Sequence, residues 1–334
     1  QASARFFLQL LGVPLEIYPD ATLYLRWIGL FIIIQSAYTA FISFLRGFSL
    51  LRETMLCSAV MNILNICGNM VLIHGLGPIP SLGVLGVCIS TNTAKTLGLV
   101  LVLYLCRKKT PIRLSLSHLR PFPKKELSKL LYLGIPSAGE TFSYQLSQTT
   151  LMTFVNLFGI AVITTKVYAY IIAMISYLYS QSLAMATQIL VSYFKGADNN
   201  QRVKFTIFVS MLLSGSLAIL VYFHSDLIFS VFTNDPEVHA LGKVILFIDI
   251  FLEIGRAVNM CMVMALNAAG DVKAPITIGI IFMWSFSVLG GWFFGVHLLW
   301  GLAGIWLAMA LDECTRGLVF FWRWHQGTWK KALI

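Results

Sequence analysis

Charge is scarce in this sequence. Only 11% of its 334 residues are Asp, Glu, Lys or Arg, against roughly 25% in a typical soluble domain. Acids are scarcer still, with 14 Asp and Glu against 24 Lys and Arg. So few charges cannot dress a water-soluble globule of this length, which excludes an ordinary cytosolic enzyme. The 58% hydrophobic content excludes a disordered chain. The six cysteines (Cys57, Cys67, Cys88, Cys106, Cys261, Cys314) make no C-x-x-C pair and sit in or beside apolar runs. Neither a disulfide framework nor a metal site is indicated, and they read as small core residues. G-x-x-x-x-G-K-[ST], H-E-x-x-H and G-x-S-x-G are all missing. Their absence argues against an ATP-driven pump and against the enzymes that carry those motifs.

What the sequence has is long, unbroken apolar runs. A membrane strand would alternate apolar and polar residues, so the runs point to an all-α polytopic membrane protein. With about 20 residues needed to cross a bilayer, nine spans are expected: 28–45, 55–75, 83–105, 131–158, 167–190, 205–223, 240–265, 274–296 and 299–322. The net charge of +10 sits at the ends of these runs, not in a patch for nucleic acid. Arg46 and Arg52, the segment from Arg107 to Lys129, Lys204, Lys273 and Arg323 follow alternate spans. The intervening loops are nearly free of Lys and Arg, Lys166 being the exception. The positive-inside rule then puts the C-terminus in the cytoplasm of a cell-membrane protein and the first residue outside.

Spans one to three repeat as spans seven to nine. Phe44–Met55 (FLRGFSLLRETM) corresponds to Ala265–Ile276 (ALNAAGDVKAPI), and Gly83–Val87 (GVLGV) to Gly301–Ile305 (GLAGI). Both copies cross in the same sense, so the repeat is parallel. Spans four to six precede the second copy and have no counterpart before the first. The symmetry therefore predicts three further helices ahead of Gln1.

Several stretches resemble the bacterial branch of the multidrug and toxic compound extrusion (MATE) transporters. They are LLGVPLEIYPDATLYLRW (Leu10–Trp27), LGIPSAGETFSYQLSQ (Leu133–Gln148), VFTNDPEV (Val231–Val238), FLEIGRAVNMCMVMALNAAGDVKAP (Phe251–Pro275) and GLAGIWLAMALDECTRGLVFFWRW (Gly301–Trp324). The resemblance implies a two-lobe bundle of twelve helices. Residues 1–106 would then be a partial N-lobe (helices four to six of the family), 107–129 a basic cytoplasmic linker, and 130–334 the C-lobe. It further implies efflux of small organic, cationic or amphipathic compounds. Na⁺ or H⁺ uptake would drive it through alternating access, in a monomer with no cofactor and no nucleic-acid partner. In one branch of the family a Glu on helix seven and an Asp on helix ten hold the cation. Those places align with Tyr144 and Arg256 here, and Glu140 and Glu253 each lie about one turn earlier.

Charges inside spans are the first candidates for chemistry, since each costs at least about 2.5–3.5 kcal/mol to place at the bilayer centre. Asp249 and Glu253 are spaced to share a helix face with Arg256. Two carboxylates and one guanidinium leave a surplus negative charge that can exchange a proton or cation. The alternative is a purely structural Glu253–Arg256 pair. Glu140 follows Pro136 by about one turn, beside carbonyls that proline frees. Coupling is therefore expected at Glu140, Asp249, Glu253 and Arg256, and a substrate cavity at Tyr144, Gln148, Gln181 and Asn259. Asn62, Asn65 and Asn69 share a face that lines a cavity or bonds between helices. Asp312, Glu313 and Arg316 are expected near the inner end of the last span, as a latch or a solvated helix end. A lipid-linked sugar flippase would need a large cationic cavity, and an intramembrane enzyme a nucleophile at membrane depth. Neither is visible.

Overall fold

The computed structural model describes residues 18–75, 80–111, 122–193 and 200–328. Among them every regular element is helical: α1 (Tyr18–Leu30), α2 (Ile32–Gly47), α3 (Leu51–His74), α4 (Gly83–Lys109), α5 (Lys124–Val155), α6 (Ile160–Tyr193), α7 (Asn200–Phe223), the short α8 (Ser225–Ser230), α9 (Pro236–Ala269), α10 (Lys273–His297) and α11 (Gly301–His325). Each expected span falls on one of these rods, the first on α1 and α2. Five of the rods are long and apolar enough to cross a membrane (α3, α4, α6, α7 and α10). There are six if α1 and α2, which meet at a 50° bend, form one span. The long helices α5, α9 and α11 are not in that set, and they carry Glu140, the Asp249–Arg256 group and the Asp312–Arg316 group. Residues 10–17 of the first family-like stretch and the middle of the basic linker lie outside the described residues.

The chain forms two compact units that divide between Phe122 and Pro123, inside the segment expected to be the linker. In the first, α4 packs on α1, α2 and α3 around Tyr38, Ile42, Leu45, Cys57, Val102 and Leu105. The Asn65 amide donates to Thr91 Oγ1 at 3.1 Å, and Ser90 Oγ donates to the Asn65 carbonyl at 3.0 Å. Asn69 reaches back to Asn65 at 3.4 Å. Two of the three asparagines thus tie α3 to α4 or to each other, which is the interhelical-bond reading of that face, and Asn62 is exposed.

In the second unit α9 is the central helix, packed against α6, α7, α8, α10 and α11. Its ends are set locally. Asp235 caps the N-terminus by accepting from the Glu237 amide at 2.9 Å, with Pro236 pre-set for the first turn, and Gly270 takes the left-handed conformation (φ 96°) at the C-terminus. α10 winds as an α-helix to Phe282 and as a π-helix over Met283–Leu289 and Gly291–His297.

The two glycine turns matched in the sequence have matching backbones. Gly83 and Gly301 open α4 and α11 with φ of 52° and 59°. One turn on, Gly86 and Gly304 lie against the backbones of Leu72 and Phe294, where a Cβ would come within 2.5 and 2.6 Å of a carbonyl group. The Leu82 and Trp300 amides return to the carbonyls of those same residues. In each unit the glycine pair therefore fixes how closely a helix hairpin can pack.

Gly255 does the same between α9 and α11. A Cβ there would lie 2.8 Å from the Cys314 backbone nitrogen. Gly255→Ala is expected to cost about 1–3 kcal/mol through overpacking, read as a lower melting temperature in detergent. Gly139→Ala, with open space around it, leaves the melting temperature unchanged or slightly raised.

Candidate functional site

The backbone contact between α9 and α11 decides which side chains meet. Gly255 sits against Cys314, and Gly317 against the backbone of Gly255 and Asn259. With only the small Cys314 and Val258 side chains beside the glycines at that level, the flanking polar residues of both helices are driven into one volume. α9 brings Asp249, Glu253, Arg256 and Asn259, whose spacing places them along one stripe. α11 brings Asp312, Glu313 and Arg316.

The side chains form a connected network. Glu253 is 0% exposed and ion-paired with Arg256 through Oε1, while its Oε2 has no hydrogen-bond partner. The Arg256 Nε lies 4.0 Å from Glu313, and its guanidinium rests over the Tyr177 ring of α6 at 5.8 Å. Glu313 accepts from the Asn259 amide at 2.6 Å and pairs with Arg316 at 3.2 Å. Arg316 also donates to Asp312 at 2.8 Å. Asp249 is held apart, accepting from the Trp306 indole at 2.9 Å. Asn259 Oδ1 and Asp312 Oδ1 are buried without partners. Tyr144 of α5 lies within electrostatic reach of Arg256, Glu313 and Tyr177.

Four carboxylates here face two guanidiniums, so full ionisation leaves two surplus negative charges in a largely buried space. Burying unpaired charge is costly enough that such groups take up a proton or a counter-cation instead. Among the described residues no three His, Cys, Asp or Glu side chains converge closely enough to grip a metal ion. The cluster is an acid-rich buried network, with no pre-built multidentate cage among the described residues.

Glu253, Arg256 and Asn259 are thus brought together, and Asp249, bonded to Trp306, acts on Glu253 and Arg256 through its charge alone. Glu140 is not ion-paired with any of them. It projects from α5 toward α10, where a Cβ on Gly279 would lie 3.4 Å from its Oε1, and the charge it senses is Arg316. Its helix runs unbroken through Pro136. Gln148 and Gln181 are half-buried. Asp312, Glu313 and Arg316 are not at the inner end of the last span. They sit midway along α11 and complete the network, because Gly317 and Gly255 bring that stretch against Glu253 and Asn259. Three charges within five residues of an apolar run were the signal for them. Trp306, the partner of Asp249, gave none, since an indole in an apolar run looks like core.

Removing one member of a buried pair strands the other. Arg316→Leu is expected to destabilise the unit by about 3–5 kcal/mol, seen as a lowered melting temperature. Adding Asp312→Asn and Glu313→Gln in the same chain should recover most of the loss. Equal melting of the single and triple variants would mean that the network is not coupled.

Residues 136–293 match the MatE family model. The chain is 34% identical, over 96% of its length, to the uncharacterized transporter YisQ of Bacillus subtilis, of which it covers 72%. It is 27% identical, over 98% of its length, to the probable multidrug resistance protein YoeA of the same organism, again covering 72%. A crystal structure of the Vibrio cholerae MATE transporter VcmN matches it with a TM-score of 0.84 at 17% identity, over 98% of this chain and 74% of that one. Together with the apolar helices and the buried charge cluster, these likenesses place the chain in the MATE family of multidrug efflux transporters, helical multi-pass membrane proteins that are transporters and not enzymes.

Proposed function

We propose that this chain expels small organic compounds, cationic or amphipathic, across the cell membrane by antiport against Na⁺ or H⁺, through alternating access of its two lobes. The observation that carries the reading is Glu253: fully buried, with one oxygen on Arg256 and the other unpartnered, in a network with more carboxylates than guanidiniums. Such a group binds a small positive species whenever it is cut off from water and releases it when a path opens. Arg256 is shared between Glu253 and Glu313. Charging or neutralising Glu253 therefore shifts Arg256 toward one partner or the other, and with it the balance between α9 and α11. That is a two-state element of the kind that links a bound ion to a conformational change.

Tyr144, Gln148 and Gln181 lie on α5 and α6, with Asn259 in the network itself, and these residues would face the transported compound, while Glu140 on α5 would join in coupling through the charge of Arg316. The exposed aromatic residues Phe142 and Tyr170 on the same two helices supply apolar area that tolerates varied ligands. The orientation with a cytoplasmic C-terminus follows from the basic loops. A lipid-linked sugar flippase fits less well, because a pyrophosphate needs a cationic cavity and the buried cluster carries a surplus of acid.

The test is Glu253→Gln in reconstituted vesicles under imposed Na⁺ and H⁺ gradients. The amide keeps the size of the side chain and loses the exchangeable charge. Gradient-driven efflux should fall to background while the melting temperature and yield hold. Wild-type efflux by this variant would remove Glu253 from the mechanism.

A further inference from the structure

The buried polar residues of the second unit do not stop at the charged cluster. One face of α6 carries Ser176, Ser180 and Thr187, all buried, at the spacing of a single helical stripe. α7 faces it with buried Ser210 and Ser214. The Ser180 and Ser214 hydroxyls meet at 2.8 Å, and Ser176 donates to the Ser214 carbonyl at 3.3 Å. Further along, Cys261 of α9 lies beside Ser210 and Thr187. At its head the row touches the cluster, where Ser176 lies beside the Glu253 carboxylate.

Two atoms set this row apart from ordinary interhelical hydrogen bonding. Glu253 Oε2 is fully buried without a partner, and so is Ser210 Oγ. In hydrocarbon an unpartnered polar atom is expensive, so each marks a place where a transferable hydrogen or a water completes the chain. The row also has a direction. From Ser176 to Thr187 it descends about 16 Å at ~1.5 Å per residue, roughly half of the ~30 Å hydrocarbon thickness. It runs toward the C-terminal ends of α6 and α9 and the N-terminal end of α7, where Lys204 and Lys273 lie. On the other side of Ser176, α6 buries Ala169 and Ile172 among apolar neighbours such as Leu252, Leu246 and Phe229. Val191, Val203 and Ile207 close the foot of the row.

We propose that the hydroxyl row between α6 and α7 is the path by which protons leave Glu253, so that the coupling ion is a proton delivered to the end of the unit that bears the basic loops. The proposal rests on the antiport reading above. In each transfer the O–H bond of protonated Glu253 breaks and its proton joins the Ser176 oxygen, while the Ser176 hydroxyl turns away from the Ser214 carbonyl and gives its own proton to the Ser180 oxygen one turn further along α6. Ser180 and Ser214 exchange it across their 2.8 Å contact, a water carries it over the intervening turn to Ser210, and water admitted past Val191, Val203 and Ile207 takes it from Ser210 as hydronium while the hydroxyls turn back. The carboxylate left behind stays paired with Arg256. The groups that face Glu253 and set its affinity for the proton are Asp249 and Arg256 on α9, Glu313 on α11 and the Ser176 hydroxyl on α6.

The test uses the full-length transporter in vesicles, with ethidium as the transported probe. The double variant Ser180→Ala with Ser214→Ala should slow pH-gradient-driven ethidium efflux about tenfold, the size of one buried hydrogen bond lost from a rate-limiting barrier. Ethidium counterflow, which needs no net proton transfer, should be unchanged, and Ser214→Thr, which keeps a hydroxyl, should keep the driven rate. Infrared spectra of the carboxyl band after a pH jump follow the same step with no substrate present, and there too the double variant should lag by about tenfold. Wild-type rates in the double variant, with Glu253→Gln inactive, would overturn the path and leave the antiport site standing. Efflux driven by Na⁺ alone, with no proton uptake, would overturn the proton assignment. Wild-type efflux by Glu253→Gln would overturn the antiport reading itself.

Discussion

The ion pair between Glu253 and Arg256, held where α9 and α11 touch backbone to backbone, is the constraint on which the second unit turns. A charge pair inside an apolar bundle is tolerated only when further groups complete its hydrogen bonding. Here the completion comes from the other helix, through Glu313, Asn259 and Arg316. The glycines that permit the approach and the charges that need it are therefore parts of one device. Either alone would destabilise the bundle: bare glycines leave a gap, and unshared charges remain unsatisfied.

This explains the division of labour among the helices. α3, α4, α6, α7 and α10 are apolar rods. α5, α9 and α11 carry the mid-helix carboxylates, and α9 and α11 bury theirs against each other. α9 is central because its small residues, among them Gly242, Gly255, Ala257, Cys261 and Ala265, let neighbours pack closely around it. Its ends are defined by chemistry that any helix could use, an Asp cap and a left-handed glycine, and its middle by chemistry that very few helices tolerate.

Much of this was legible in order along the chain. The apolar runs located the helices, because lipid immersion demands about the same length of apolar helix each time. The pairing of Gly83 with Gly301 was legible as well, since a turn at positive φ followed by a close backbone approach leaves two glycines at fixed spacing. Asp249, Glu253 and Arg256 could be grouped because helical periodicity alone puts them on one face. The grouping of Glu140 with them could not be checked that way. It sits on another helix, and it faces Gly279 and Arg316 instead.

By itself, then, the sequence determined the helical class, the placement of the rods and the presence of costly charge among them, because these depend on local composition and on the period of one helix. Tertiary structure alone decided which charges share a network. Asp312, Glu313 and Arg316 moved from an expected helix end to the centre of the site, and Trp306 became the partner of Asp249. The physical reason is that contact between helices is set by the fit of small residues across an interface, and nothing in the period of one helix says which neighbour it will touch or at what level.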